Sequence, residues 1–106
     1  MSNGILMGNA VGLYSYTVSL TPASTSTVTS TEQSFTVPGV KLSTDNVIAI
    51  TPPSNTAGVT LSYGRITADN TVAIKFTNPT AGSVTPAAGN YVFTILRASP
   101  ATGLAD

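Results

Sequence analysis

Four carboxylates, Glu32, Asp45, Asp69 and Asp106, are the groups in this sequence best suited to acid–base chemistry. Hydrolysis of a glycosidic bond would need two of them facing one cleft. Asp69 lies in Ala68-Asp69-Asn70, where an aspartate is expected because its side chain bonds the backbone of a turn. Asp45, in Ser43-Thr44-Asp45-Asn46, reads as a turn or strand-entry residue. Asp106 is terminal, and Glu32 stands alone in a polar stretch. Calcium would need several oxygens gathered within one loop, and Asp45-Asn46 and Asp69-Asn70 are each too sparse. The chain has no cysteine and no histidine. Disulfides, thiolate or imidazole zinc ligation and histidine-assisted nucleophiles therefore drop out. No Gly-x-Ser-x-Gly occurs, and no glycine-rich phosphate loop precedes Lys41 or Lys75. The residues predict no catalytic group, no metal and no cofactor.

Two sets of side chains could bind without reacting. Tyr14, Tyr16, Tyr63 and Tyr91 could form an aromatic platform for sugars, or could serve as packing and sheet-edge residues, a common use of tyrosine in β proteins. Arg65 and Arg97 sit near strand ends, where they can pair with acids or reach a neighbouring subunit. Only 8% of residues are charged and the formal net charge is zero, against roughly 25% charged in an average soluble domain. A basic face for nucleic acid or for an anionic membrane surface is excluded on that ground. Such neutrality favours association, although 30 serines and threonines among 106 residues supply surface polarity.

The elements that would hold these residues are strands. Leu13 to Leu20 alternates, with Tyr14, Tyr16, Val18 and Leu20 on one face. Ala23 to Ser34 is rich in serine and threonine and reads as a loop or a polar edge strand around Val28. Phe35 to Val37 is a short strand ended by Pro38-Gly39. Val47 to Thr51 is apolar on both faces, the pattern of a central strand covered on two sides, and Pro52-Pro53 stops it. Val59 to Ile66 places Val59, Leu61 and Tyr63 on one face, with Gly64 marking a bulge. Thr71 to Thr77 sends Val72, Ile74 and Phe76 inward and forms a hairpin with the strand before it. Tyr91 to Arg97 is the last strand. No apolar run approaches the roughly 20 residues of a membrane-spanning helix. The first residues lack a basic start and a continuous apolar stretch, so no signal peptide is expected and synthesis is expected in the (host) cytoplasm.

The expectation is an all-β chain: an antiparallel β-sandwich of about seven to eight strands over residues 13–98. An extended N-terminal arm over 1–12 precedes it and a C-terminal tail over 99–106 follows. Ile5, Leu6, Met7 and Val11 give the arm an apolar character that suits docking on a partner. Pairing order is not readable, so jelly-roll-like and immunoglobulin-like connectivity both stand.

A set of spaced positions resembles a known β module: Pro38-Gly39, Asp45, Pro52, Gly58, Arg65, Asn78-Pro79-Thr80, Gly89, Tyr91 and Arg97. The module recurs in small tailed-bacteriophage virion proteins, among them capsid decoration (cement) proteins and head-fibre components. The resemblance covers roughly residues 35–98. It implies a jelly-roll or related sandwich on the outside of a virion, bound to the major capsid protein and to copies of itself as a dimer or trimer. Together with composition it gives the expected function: a non-enzymatic protein that bridges neighbouring capsid subunits. The candidate partner-binding residues are Ile5, Leu6, Met7, Val11, Arg65 and Arg97. The alternative is a carbohydrate- or ligand-binding module of a fibre or tail.

Overall fold

The computed structural model describes residues 10–98, and they form six strands and no helix. These are β1 (Ala10–Leu20), β2 (Thr29–Thr36), β3 (Asp45–Thr51), β4 (Thr60–Ala68), β5 (Thr71–Asn78) and β6 (Gly89–Ala98). They make two antiparallel three-stranded sheets, ordered β1-β6-β3 and β2-β5-β4. The all-β expectation holds, with six strands where seven to eight were expected. The expected arm over 1–12 overlaps β1 from Ala10 onward.

Alternation in the central strands builds the core. β5 buries Val72, Ile74 and Phe76, and β6 buries Tyr91, Phe93 and Ile95. Leu20, Val37, Val40 and Val59 join them in one apolar cluster shared by both sheets. Burial of aliphatic and aromatic side chains supplies the main stabilisation, about 1.5–3 kcal/mol for each fully buried large one.

Three elements differ from the sequence reading for identifiable reasons. Of the two readings of the serine- and threonine-rich stretch the polar edge strand holds, but it runs on through Phe35 and Thr36 as one strand, β2, because β5 supplies its partners: Glu32 lies opposite Lys75 and Phe35 opposite Val72. Val28 is not the centre of that strand but a turn residue at φ 48°, and its side chain is exposed. β3 is an edge strand rather than a central one. A bulge between Val47 and Ala49 puts Val47 opposite Ile95 and Ile50 opposite Phe93, while Ile48 stays 55% exposed. That extra residue is why both faces read as apolar. In β4 the bulge falls between Leu61 and Tyr63, so Tyr63 lies opposite Lys75 and is exposed instead of sharing the inner face with Leu61.

The β4–β5 hairpin turns at Asp69-Asn70, with Asn70 at φ 64°, a conformation asparagine tolerates. Its tip is locked to the Val37–Val40 turn. Val37 N donates to Asn70 O at 2.9 Å, Asn70 N donates to Val40 O at 2.8 Å, and Gly39 N donates to Asn70 Oδ1 at 2.8 Å. Gly39 is at φ 105°, and a Cβ there would come within 2.9 Å of the Tyr16 ring. Both facts call for glycine.

Candidate functional site

The sites predicted from sequence divide into those used by the fold and those left at the surface. Arg97 belongs to the first kind. Its Nε donates to Asp45 Oδ1 at 2.7 Å and its Nη2 to Asp45 Oδ2 at 2.8 Å, a bidentate pair. The same Nη2 reaches Gly39 O at 2.9 Å and the Tyr16 hydroxyl at 3.1 Å. The Tyr14 ring lies 4.7 Å from the guanidinium carbon, within cation–π range. Asp45 also accepts from Lys41 N and from the Thr44 hydroxyl. The Arg97 guanidinium, above all, holds the Asp45 carboxyl at about 2, below its ordinary value. Since β1, β3, β6 and the Val37–Val40 turn all converge here, this cluster ties the β1-β6-β3 sheet to the turn that follows β2.

Arg65 is paired too, but in the open. Its Nε and Nη2 donate to the Glu32 carboxylate at 2.7 and 2.9 Å, reaching across β5 from β4 to β2. The Arg65 hydrogen bonds keep the Glu32 carboxyl below its usual range. Beside them Lys75 Nζ sits 5.6 Å from the Tyr63 ring centre. Ser30, Thr77 and Ser62 form a hydroxyl chain at 2.9 and 2.7 Å. The outer face of β2-β5-β4 is thus polar, charged and internally satisfied.

Asp69 sits in the turn as expected, but its side chain accepts from Leu42 N at 3.0 Å, a bond to the segment before β3 rather than to its own turn. Glu32 and Asp45 stand on different sheets and share no cleft. Among the described residues no three histidine, cysteine, aspartate or glutamate side chains gather to hold a metal. The four tyrosines do not share a surface. Tyr91 is 1% exposed and its hydroxyl donates to Ala87 O at 2.6 Å. Tyr16 packs on the core, Tyr14 stacks with Arg97, and Tyr63 lies on the other sheet.

What remains is the outer face of β1-β6-β3 and the rim beside it. The outward side chains of these strands are Leu13, Ser15, Thr17 and Ser19 from β1, Asn90, Val92, Thr94 and Leu96 from β6, and Asn46, Ile48, Ala49 and Thr51 from β3. None is charged. Leu13 and Ile48 are 63% and 55% exposed. Along the rim, β3 and β4 run side by side with a depression of about 330 Å³ between them, and a second of about 260 Å³ opens at the end of these strands, under the β3–β4 connection. Ile50, Leu61, Phe76 and Tyr91 form the apolar floor of the smaller, while Ile48, Tyr63 and Gly64 border the larger. A Cβ on Gly64 would meet Ile50 Cδ1, the far end of that side chain, so Ile50 packs over Gly64 and would have to turn aside for a larger residue there.

Of the other candidate residues, Val11 falls in β1 at the bulge between Ala10 and Gly12. Ile5, Leu6 and Met7 lie outside the described residues. Sequence reasoning missed Asn78, which is fully buried. Its Nδ2 donates to Thr25 O and Gly82 O, and its Oδ1 accepts from Thr80 N and the Thr80 hydroxyl. An asparagine before proline reads as a loop opener; nothing local signals a four-way clamp. Comparison with protein-family models, curated proteins and solved structures finds no match to this chain.

Proposed function

We propose that this protein is a non-enzymatic brace of a tailed-phage head, a decoration protein that binds the capsid surface and bridges neighbouring major capsid proteins. The observation that carries the reading is the segregation of charge. Glu32, Arg65 and Lys75 lie on the face of one sheet, Asp45 and Arg97 are spent on each other, and the opposite face of β1-β6-β3 carries no ion. An uncharged sheet with exposed Leu13 and Ile48 and an apolar rim suits contact with another protein. It offers nothing to phosphate or to an anionic surface. In this reading the β3–β4 groove takes an extended apolar segment of the capsid protein, and the free edges add main-chain contacts. Many copies on a symmetric shell gain avidity.

The finer architecture we propose is a jelly roll short of one hairpin. An eight-stranded jelly roll pairs its strands 1-8-3-6 and 2-7-4-5. Removing its fifth and sixth strands and renumbering leaves 1-6-3 and 2-5-4, the orders seen here. The missing pair would lie beside β3 and β4, which is where the groove is open.

Co-sedimentation with phage heads tests the reading. Occupancy is expected to change little between low and high salt, since no ion pair crosses the contact. Ile48→Lys on the exposed β3 bulge is expected to lower occupancy at least tenfold while leaving stability within about 0.5 kcal/mol. A steep loss of occupancy with salt, or full binding by the Ile48→Lys protein, contradicts the proposed face.

A further inference from the structure

The four sheet edges are not equivalent. β2 carries Glu32, and β4 carries Arg65 and two register shifts. β3 is bulged between Val47 and Ala49. β1 has none of these protections over Gly12–Leu20: no charge, no proline and an unbroken register with β6. Among the described residues it pairs with β6 alone. Natural edge strands are normally blunted by charge, proline, bulges or shortness, and an edge left long, regular and neutral is a template for another strand.

We infer that the free edge of β1 pairs antiparallel with β1 of a second copy, joining the two three-stranded sheets into one continuous six-stranded sheet. The inference goes beyond the proposed function: it takes the association of copies of this chain that the resemblance implies and gives it a surface. β1 is self-complementary about its midpoint, Tyr16. With a two-fold axis there, Tyr14 faces the partner's Val18 and Ser15 faces the partner's Thr17. Inward residues then meet inward residues and hydroxyls meet hydroxyls, the pairing a buried face demands. No like charges meet, because the strand has none. The other edges offer no such match: antiparallel self-pairing of β2 or β4 would bring two Glu32 or two Arg65 side chains toward one another, and β3 would have to pair through its bulge. The interface is isologous and closes at two copies.

Sedimentation equilibrium of the whole chain tests this with two double variants of equal added charge. Ser15→Lys/Thr17→Lys sets lysines opposite each other across the two-fold axis, and Ser30→Lys/Ser34→Lys places the same charges on β2. The expected result is a concentration-dependent dimer for the wild type and for Ser30→Lys/Ser34→Lys, and a monomer for Ser15→Lys/Thr17→Lys with an unchanged far-ultraviolet spectrum. Hydrogen exchange on the wild type gives a reading independent of any variant: amides of Gly12–Leu20 are expected to gain protection as concentration rises. A wild-type dimer that survives Ser15→Lys/Thr17→Lys, or gains protection elsewhere, overturns the β1 edge but leaves self-association standing. Dissociation of both double variants makes charge itself the cause and also overturns it. A wild type that stays monomeric up to about 1 mM, the weak limit of specific association, removes self-association as well.

Discussion

Arg97 and Arg65 show how two similar ion pairs differ in worth. Arg97 sits over a carboxylate whose side chain is fully buried, whereas the Arg65 side chain is 58% exposed. Truncating one partner of a buried pair strands the other charge, at a cost of about 3–5 kcal/mol, while exposed pairs contribute about 0–1 kcal/mol. Arg97→Met is therefore expected to lower the midpoint of a urea titration clearly, and Arg65→Ala to leave it nearly unchanged. Equal effects would contradict this ranking. The Asp45 carboxyl titrates lower in the folded chain, at about 2, than its ordinary 3.8. The unfolded state thus binds the proton more readily, and the stabilisation is complete above pH 3.8. It is lost as pH falls from there through about 2. Screening at the sandwich end keeps this contribution on the order of 1–2 kcal/mol. Acid unfolding of Asp45→Asn is expected to show a shallower pH dependence over that window; an unchanged slope would remove Asp45 from the account.

Among the elements, the strands with clean alternation were legible from residue types alone. Val72, Ile74 and Phe76 in β5 fill the core as their spacing required, whereas β6 was legible as a strand but its run is apolar on both faces and did not show that Tyr91, Phe93 and Ile95 are the buried set. The Asp69-Asn70 hairpin followed from turn chemistry. The misread and undecided elements have one cause: their conformation is set by a neighbour distant in sequence. For β2 the loop and the polar edge strand both stood, and the ladder offered by β5 decides for the strand. The apolar run in β3 looked doubly covered, since periodicity cannot reveal a bulge that turns Ile48 outward. The exposed face and groove of the candidate site were illegible for the same reason, as they arise only when β3 meets β4. Asn78 is the sharpest case. Its four partners come from Thr25, Thr80 and Gly82. Asn78→Leu leaves Thr80 N without a partner, while Thr25 O keeps Val84 N and Gly82 O keeps the Thr80 hydroxyl, so a loss of about 1–3 kcal/mol is expected on thermal or urea unfolding. A loss below about 0.5 kcal/mol would mean that water replaces the clamp.

In the whole molecule, the features separate by side. Ions hold one sheet face and one end of the sandwich, the opposite sheet face is neutral, β1 forms one lateral edge, and the β3–β4 groove forms the other. A dimer joined at β1 would carry its two grooves at opposite ends of a six-stranded sheet. On the proposed function, that shape would let one dimer hold two capsid subunits, one at each groove. Rigidity serves this role, since a brace that flexes between its two contacts loses the avidity it gains from them.

The most direct test is an image of the intact particle at a resolution that shows strands. The prediction is density for this chain in register with the shell lattice, with the β1-β6-β3 face against the capsid and the charged β2-β5-β4 face toward solvent. Density confined to a fibre or tail, or a shell contact made through the Glu32–Arg65 face, would contradict it.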